Sequence, residues 1–190
     1  MIETLSFKIR GMAPLLMHNG QLADPGNEWA RAMKEISGKR AKTAADYEEL
    51  ARLEFLGGLY LNREGPIIPG RVLEGALIGK GGAARKQRMG KQAAVGLYVV
   101  RNFSLEYDGP KDPNELWKDE RFRSRELVSV GQARIMRTRA IFEEWSADVN
   151  FEIDTEFVNI EDANLWMSIA GRESGLMDWR PKHGRFEVAA

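Results

Sequence analysis

Residues 2–10 alternate apolar and polar side chains, with Leu5, Phe7 and Ile9 on one side and Ser6, Lys8 and Arg10 on the other. A period of two is that of a half-buried strand, because successive side chains of an extended chain point to opposite faces. Gly11 and Pro14 end it. Three more stretches read as strands: 97–107 through Leu97, Val99, Phe103, Leu105 and Tyr107; 147–153 through Val149, Phe151 and Ile153; and a short one over 185–188. Asp108-Gly109-Pro110 closes the first of these. Two segments with spacings of three and four read as helices, RVLEGALIGK through Val72, Leu73, Ala76 and Leu77, and 161–172 through Leu165, Trp166 and Ile169. A turn, Gly65-Pro66-Ile67-Ile68-Pro69-Gly70, feeds the first helix. The resulting order, β-α-β-β-α-β, predicts an α+β chain with a ferredoxin-like (RRM-like) core.

Two stretches lie outside that order. Residues 24–61 predict a helical insertion of two helices split near Ser37-Gly38, one carrying Trp29, Met33 and Ile36 and the other Tyr47, Leu50 and Leu53. Thr43 with Asp46 resembles a cap for the second, although a full capping box calls for Glu or Gln at the later position. Residues 111–145 predict a second insertion, with a short helix around Pro113 to Trp117 and then an Arg-dense run. At 190 residues the chain fits a single domain over 1–190 with these insertions, since a domain of about 150 residues buries roughly 70% of its unfolded surface. No cysteine is present, which excludes disulfides, thiolate nucleophiles and cysteine-held zinc or iron–sulfur sites. No apolar run reaches membrane-spanning length, and MIETLSFKIR lacks the apolar stretch of a signal peptide, so a cytoplasmic protein without membrane attachment is expected.

Lys and Arg total 28 and Asp and Glu total 28, so no global field draws the chain to nucleic acid and any affinity must be local. The sharpest local imbalance is 79–92, where Lys80, Arg85, Lys86, Arg88 and Lys91 occur without an acidic residue among four glycines. Cations gathered within roughly 8–10 Å beside backbone that glycine lets approach closely are what phosphate binding needs. A solvated loop is the plainer reading of the same residues. The segment is no P-loop: Gly75 and Gly79 enclose three residues rather than four, and Lys80 is followed by Gly81. A second cluster is Arg121, Arg123, Arg125, Arg134, Arg137 and Arg139, in which alternation at 121, 123, 125 or at 137, 139 would align guanidinium groups along one strand face, with Glu120, Glu126, Glu143 and Glu144 near enough to make ordinary surface pairs. Trp117, Trp145 and Trp179 are candidates for stacking on bases, whereas Trp29 and Trp166 fall on core stripes.

Chemistry has less to work with. His18 and His183 have neither metal-pair spacing nor a triad, and Asp24, Asp108, Asp112 and Asp178 sit in turns, where capping is the common role. No catalytic, metal or cofactor residue is assigned.

The pairing of Ile68-Pro69-Gly70-Arg71-Val72-Leu73-Glu74-Gly75-Ala76-Leu77 with the late run Gly171-Arg172-Glu173-Ser174-Gly175 to His183-Gly184-Arg185-Phe186 resembles the RAMP superfamily. Its members typically carry an Ile-Pro-Gly turn and helix, then a late Gly-rich run ending in a Gly-Arg-Phe or Gly-Arg-Val strand, on ferredoxin-like domains. Arg71-Val72 stands where Ser-Ser is usual, Glu74 where Lys is, and Ile78 where Arg is. The resemblance covers the sheet and two core helices and implies a backbone subunit of a CRISPR-type ribonucleoprotein. Such a subunit packs side by side with copies of itself or related subunits along a guide RNA. On that basis the partner is single-stranded RNA, with DNA left open because no residue type announces a 2′-hydroxyl contact. The expected contacts are Lys80, Arg85, Lys86, Arg88, Lys91, Arg134, Arg137, Arg139 and Arg180. Two alternatives stand beside this: a RAMP-type endoribonuclease, metal-dependent or not, using His18 or a turn Asp, and a structural assembly protein of a phage or other complex.

Overall fold

The computed structural model describes residues 1–189. In chain order the first half holds β1 (Ile2–Gly11), β2 (Leu15–Met17), α1 (Glu28–Ser37), α2 (Ala44–Gly58), β3 (Leu61–Asn62), β4 (Gly65–Ile68) and α3 (Gly70–Leu77). There follow α4 (Ala83–Lys86), α5 (Gly90–Gly96), β5 (Leu97–Tyr98), β6 (Phe103–Ser104) and α6 (Pro113–Lys118). The chain finishes with β7 (Arg123–Val130), β8 (Ala133–Phe142), β9 (Ser146–Asp154), α7 (Ile160–Ile169) and β10 (Phe186–Val188).

Four strands form an antiparallel sheet in the order β10-β1-β9-β5. With α3 between β1 and β5 and α7 between β9 and β10, this is the ferredoxin-like core that the element order predicts. Its register explains the N-terminal alternation. Leu5 faces Phe151, Phe7 faces Val149 and Ile9 faces Ala147, and the Phe7 and Phe151 rings stack at 5.4 Å. α3 buries Leu73, Ala76 and Leu77, and α7 buries Ala163, Trp166, Met167 and Ile169, into one continuous core with that face. The other face stays open and polar, with Ser6 opposite Asn150 and Lys8 opposite Asp148.

A second sheet, β2-β8-β7, carries the long hairpin of the 111–145 insertion, and a third, β3-β4-β6, is built from short strands. α2 packs against β8 and against α1. Gly57 permits the α1 approach, since a Cβ there would lie 2.8 Å from that of Trp29.

Four local expectations are corrected. The stretch 97–107 is not one strand: β5 pairs with β9, but the chain then leaves the sheet, and β6 pairs with β4 instead. At the Gly70 corner the N–H donates to the Asn102 carboxamide oxygen at 3.0 Å, and a Cβ would lie 2.2 Å from the Arg101 carbonyl oxygen, so residues 101–102 pass close against the start of α3 and not along β9. The Gly65–Gly70 turn contains a fully buried strand, β4, and ends on Pro69 as the N-cap of α3. The basic stretch 79–92 is no loop but two short helices, α4 and α5. Asp46 completes a capping box with Thr43 after all, its shorter carboxylate accepting from the Thr43 N–H at 2.9 Å.

Candidate nucleic-acid interface

Five cations were expected together on 79–92, and the two short helices bring three of them into one place. Arg85, Arg88 and Lys91, with Gly90, Gln92 and Ala94, line an open depression that contains no carboxylate. Lys80 is exposed at the turn leading to it, beside Gly81 at φ +81°. Among the described residues none of these four cations joins an ion pair. Lys86 does, with Glu173 at 2.9 Å, and its charge is spent on tying α4 to the turn after α7. The Arg85 Nε–H donates to the Ile78 carbonyl at 3.2 Å, which fixes its stem and leaves the rest of the guanidinium outward.

Arg88 holds this geometry at a cost. It ends α4 with φ 63°, a left-handed conformation, and the Met89 N–H donates back to the Ala84 carbonyl at 2.8 Å. That is the helix-ending turn in which glycine is the usual residue.

The second cluster divides. In the β7–β8 register Arg123 is opposite Ala140 and Arg125 opposite Thr138, while Glu126 is opposite Arg137 and Ser124 opposite Arg139. Directly paired residues share a face, so Arg123, Arg125 and Arg134 lie on one side of the hairpin and Arg137 and Arg139 on the other. Arg121 is in a turn ahead of the strand. Several of these charges are also met internally: Arg121 by Asp119 at 2.7 Å, Arg123 by Glu120 at 3.0 Å, Arg137 by Glu54 at 2.6 Å and Arg139 by Asp178 at 3.2 Å. Arg123 and Arg125 share one strand face and Arg137 and Arg139 share the other, as their alternation predicts, but Arg121 lies outside the strand, and Arg137 and Arg139 are already engaged by Glu54 and Asp178. Glu54 is buried, and its second oxygen accepts the Thr138 N–H at 2.8 Å, just where β2 has ended opposite Ala140 and leaves the edge of β8 uncovered. Sequence could not show this pair, which joins residues 83 apart. Arg125, Arg134 and Arg180 are exposed and join no ion pair among the described residues.

The aromatic candidates separate too. Trp145 is buried, its indole N–H donating to the Ala13 carbonyl at 2.9 Å, and Trp117 packs edge-on to Phe55 under the Arg123 guanidinium. Trp145 is thereby closed to a base, while Trp117 is half-buried and carries Arg123 over its ring at 4.7 Å. Trp179 remains 39% exposed. On the open face of the main sheet Lys8 is matched by Glu106 at 3.5 Å and Asp148 at 4.0 Å.

His18 and Asp178, distant in sequence, share a cleft of about 590 Å³ with Arg137, Arg139 and Trp179. Burial pushes the His18 imidazole below its ordinary value against the opposing pull of Asp178. His183 is lowered by burial as well, and its ring stacks on Trp179 at 5.4 Å. Of the other turn aspartates, Asp24 accepts from the Gly26 N–H at 2.8 Å, Asp112 caps α6, and Asp108 lines a separate open depression with Arg10, Glu143 and Glu144. Among the described residues no group of three or more acidic or histidine side chains is placed to hold a metal ion. No helix among them is long and apolar enough to cross a membrane.

No family model matches the chain, and no curated protein does. Among solved structures the chain is similar to Cmr6 from Pyrococcus furiosus, at 11% identity and a TM-score of 0.42, over 100% of this chain and 99% of that one.

Proposed function

We propose that this chain is a non-catalytic, RAMP-like subunit that binds single-stranded nucleic acid, RNA in the first instance, through its phosphate backbone and assembles along the strand beside other copies. The observation that carries this reading is the convergence of Arg85, Arg88 and Lys91 on one open depression free of carboxylates, in a chain whose net charge is zero. A neutral protein has no electrostatic reason to leave such a group unmatched, and phosphate oxygens are the ligand that outward guanidinium and ammonium groups satisfy. The ferredoxin-like topology and the two glycine motifs of the sequence support the family half of the reading.

Salt tests it. Each phosphate neutralised on a single strand contributes about −0.7 to the slope of log K against log salt, so Arg85→Ala, Arg88→Ala and Lys91→Ala together are expected to flatten the slope by about 2. An unchanged slope would take those residues out of the interface. The endoribonuclease reading draws less support: in the cleft holding His18, each arginine is already matched by a carboxylate, so the site does not gather a phosphodiester. Labelled RNA is expected to stay intact during long incubation at high protein concentration.

A further inference from the structure

The cleft between β2, the β7–β8 hairpin and the segment around Asp178 contains more unmet hydrogen-bonding capacity than any other place in the described chain. Of the five buried side-chain nitrogen or oxygen atoms that find no protein partner among the described residues, His18 Nδ1 and Arg139 Nε belong to residues lining the cleft, and a third, His183 Nδ1, to the ring stacked on Trp179. Arg139 lies 3.2 Å from the Asp178 carboxylate, near enough for charge to be balanced, yet not aligned for a hydrogen bond through Nε. Buried polar atoms of this kind are normally paired, and their exceptions call for a cause. A second observation falls on the same residues. Of the non-glycine residues in the left-handed region, Met177 (φ 63°) and Trp179 (φ 57°) flank Asp178, a conformation that bulky side chains rarely adopt and that a fold keeps where it aims a group.

The chemistry of the cleft narrows its ligand. Arg137 is offset by Glu54 and Arg139 by Asp178, so these four groups carry no net charge and a free anion gains little there. They supply donors and acceptors side by side, next to an indole on which His183 stacks and over which the exposed Lys182 ammonium lies at 4.5 Å and the Arg139 guanidinium at 5.8 Å, with 39% of the residue still open to solvent. A flat ring whose edge carries donors and acceptors together fits that set, and a cleft of about 590 Å³ admits one.

We propose that this cleft receives one unstacked nucleobase of the bound strand, with Trp179 as the stacking surface and Arg139, Asp178 and His18 at the base edge. The inference rests on the strand-binding reading above and adds base contact to backbone contact.

Two strands of equal length and charge separate the two claims: a base-bearing oligonucleotide and one whose central residues are abasic. The base-bearing strand is expected to bind about tenfold more tightly, the scale of one aromatic stacking contact. Trp179→Asn removes the ring while keeping a residue that tolerates the left-handed backbone, and is expected to erase that difference without changing affinity for the abasic strand. Asp178→Asn, which leaves the indole in place, is expected to reduce it. Equal binding of both strands by the unaltered protein would overturn the base cleft and leave the backbone reading standing. A difference that survived both substitutions would also overturn it, because the bases would then be held elsewhere. Failure of both strands to bind would overturn the backbone reading and this inference with it.

Discussion

Arg88 shows at the level of one residue how stability and binding are set against each other. In the left-handed turn that ends α4, an arginine costs more than a glycine would, and the backbone bond from Met89 to Ala84 requires the conformation whichever residue stands there. Arg88→Gly is therefore expected to raise the stability of the protein by about 0.5–1 kcal/mol, read as an increased urea midpoint. If the side chain is there to meet phosphate, the same variant binds strands more weakly, with a slope flatter by about 0.7. A variant that gained stability and lost no affinity would mean that Arg88 is a surface residue in a poor conformation. The cleft obeys the same logic through Trp179, so two of the three non-glycine left-handed residues of the described chain lie on the candidate surfaces, and the third, Met177, packs against the core beside Asp178.

Among the elements, the closing segment between α7 and β10 carries the most demanding geometry. Gly184 has φ 71°, a Cβ on it would lie 1.9 Å from the Leu176 carbonyl oxygen, and its N–H donates to the Pro14 carbonyl at 2.8 Å. Gly171 is as confined, 2.2 Å from the Phe186 carbonyl oxygen by the same measure. These motif glycines join backbone to backbone inside the protein, which is a tight-packing role and not an approach to phosphate. Gly184→Ala is expected to destabilise the fold by at least about 2 kcal/mol, the sum of the left-handed penalty and the displacement of Leu176, with the strand-binding slope unchanged in whatever remains folded. This segment also marks where sequence stops being readable. The alternation of β1 and β9 and the helical stripes of α3 and α7 were legible because each records a single buried face, and with them the order of the core. The break after Tyr98 was not, since it depends on Asn102 meeting a backbone N–H 32 residues away. The same holds for the Arg-dense run: period two announces strands, but only the register decides that Arg125 and Arg137 face opposite ways, and only α2 brings Glu54 to Arg137. The basic stretch 79–92 is legible in sequence as charge but not as helix, because α4 and α5 are too short for an apolar stripe to repeat.

For the whole molecule, the balance of 28 basic and 28 acidic residues has a consequence for assembly. Copies of a neutral protein neither repel nor attract one another through a shared field, so neighbours on a strand are brought together by the strand and by short-range contacts. Local concentration along a common scaffold can raise the effective affinity of weak neighbour contacts by orders of magnitude, and that gain vanishes when the scaffold is cut. Protein purified at low salt is accordingly expected to carry nucleic acid, seen as a raised ratio of absorbance at 260 to 280 nm, and to sediment as a series of large species. Ribonuclease is expected to reduce both the ratio and the size, and deoxyribonuclease to leave them unchanged. The reverse sensitivity would assign the strand as DNA. Large species that persisted after both enzymes, with no absorbance excess, would mean that protein contacts alone hold the assembly, and the depression lined by Arg85, Arg88 and Lys91 would then have to face the carboxylates of a neighbouring copy.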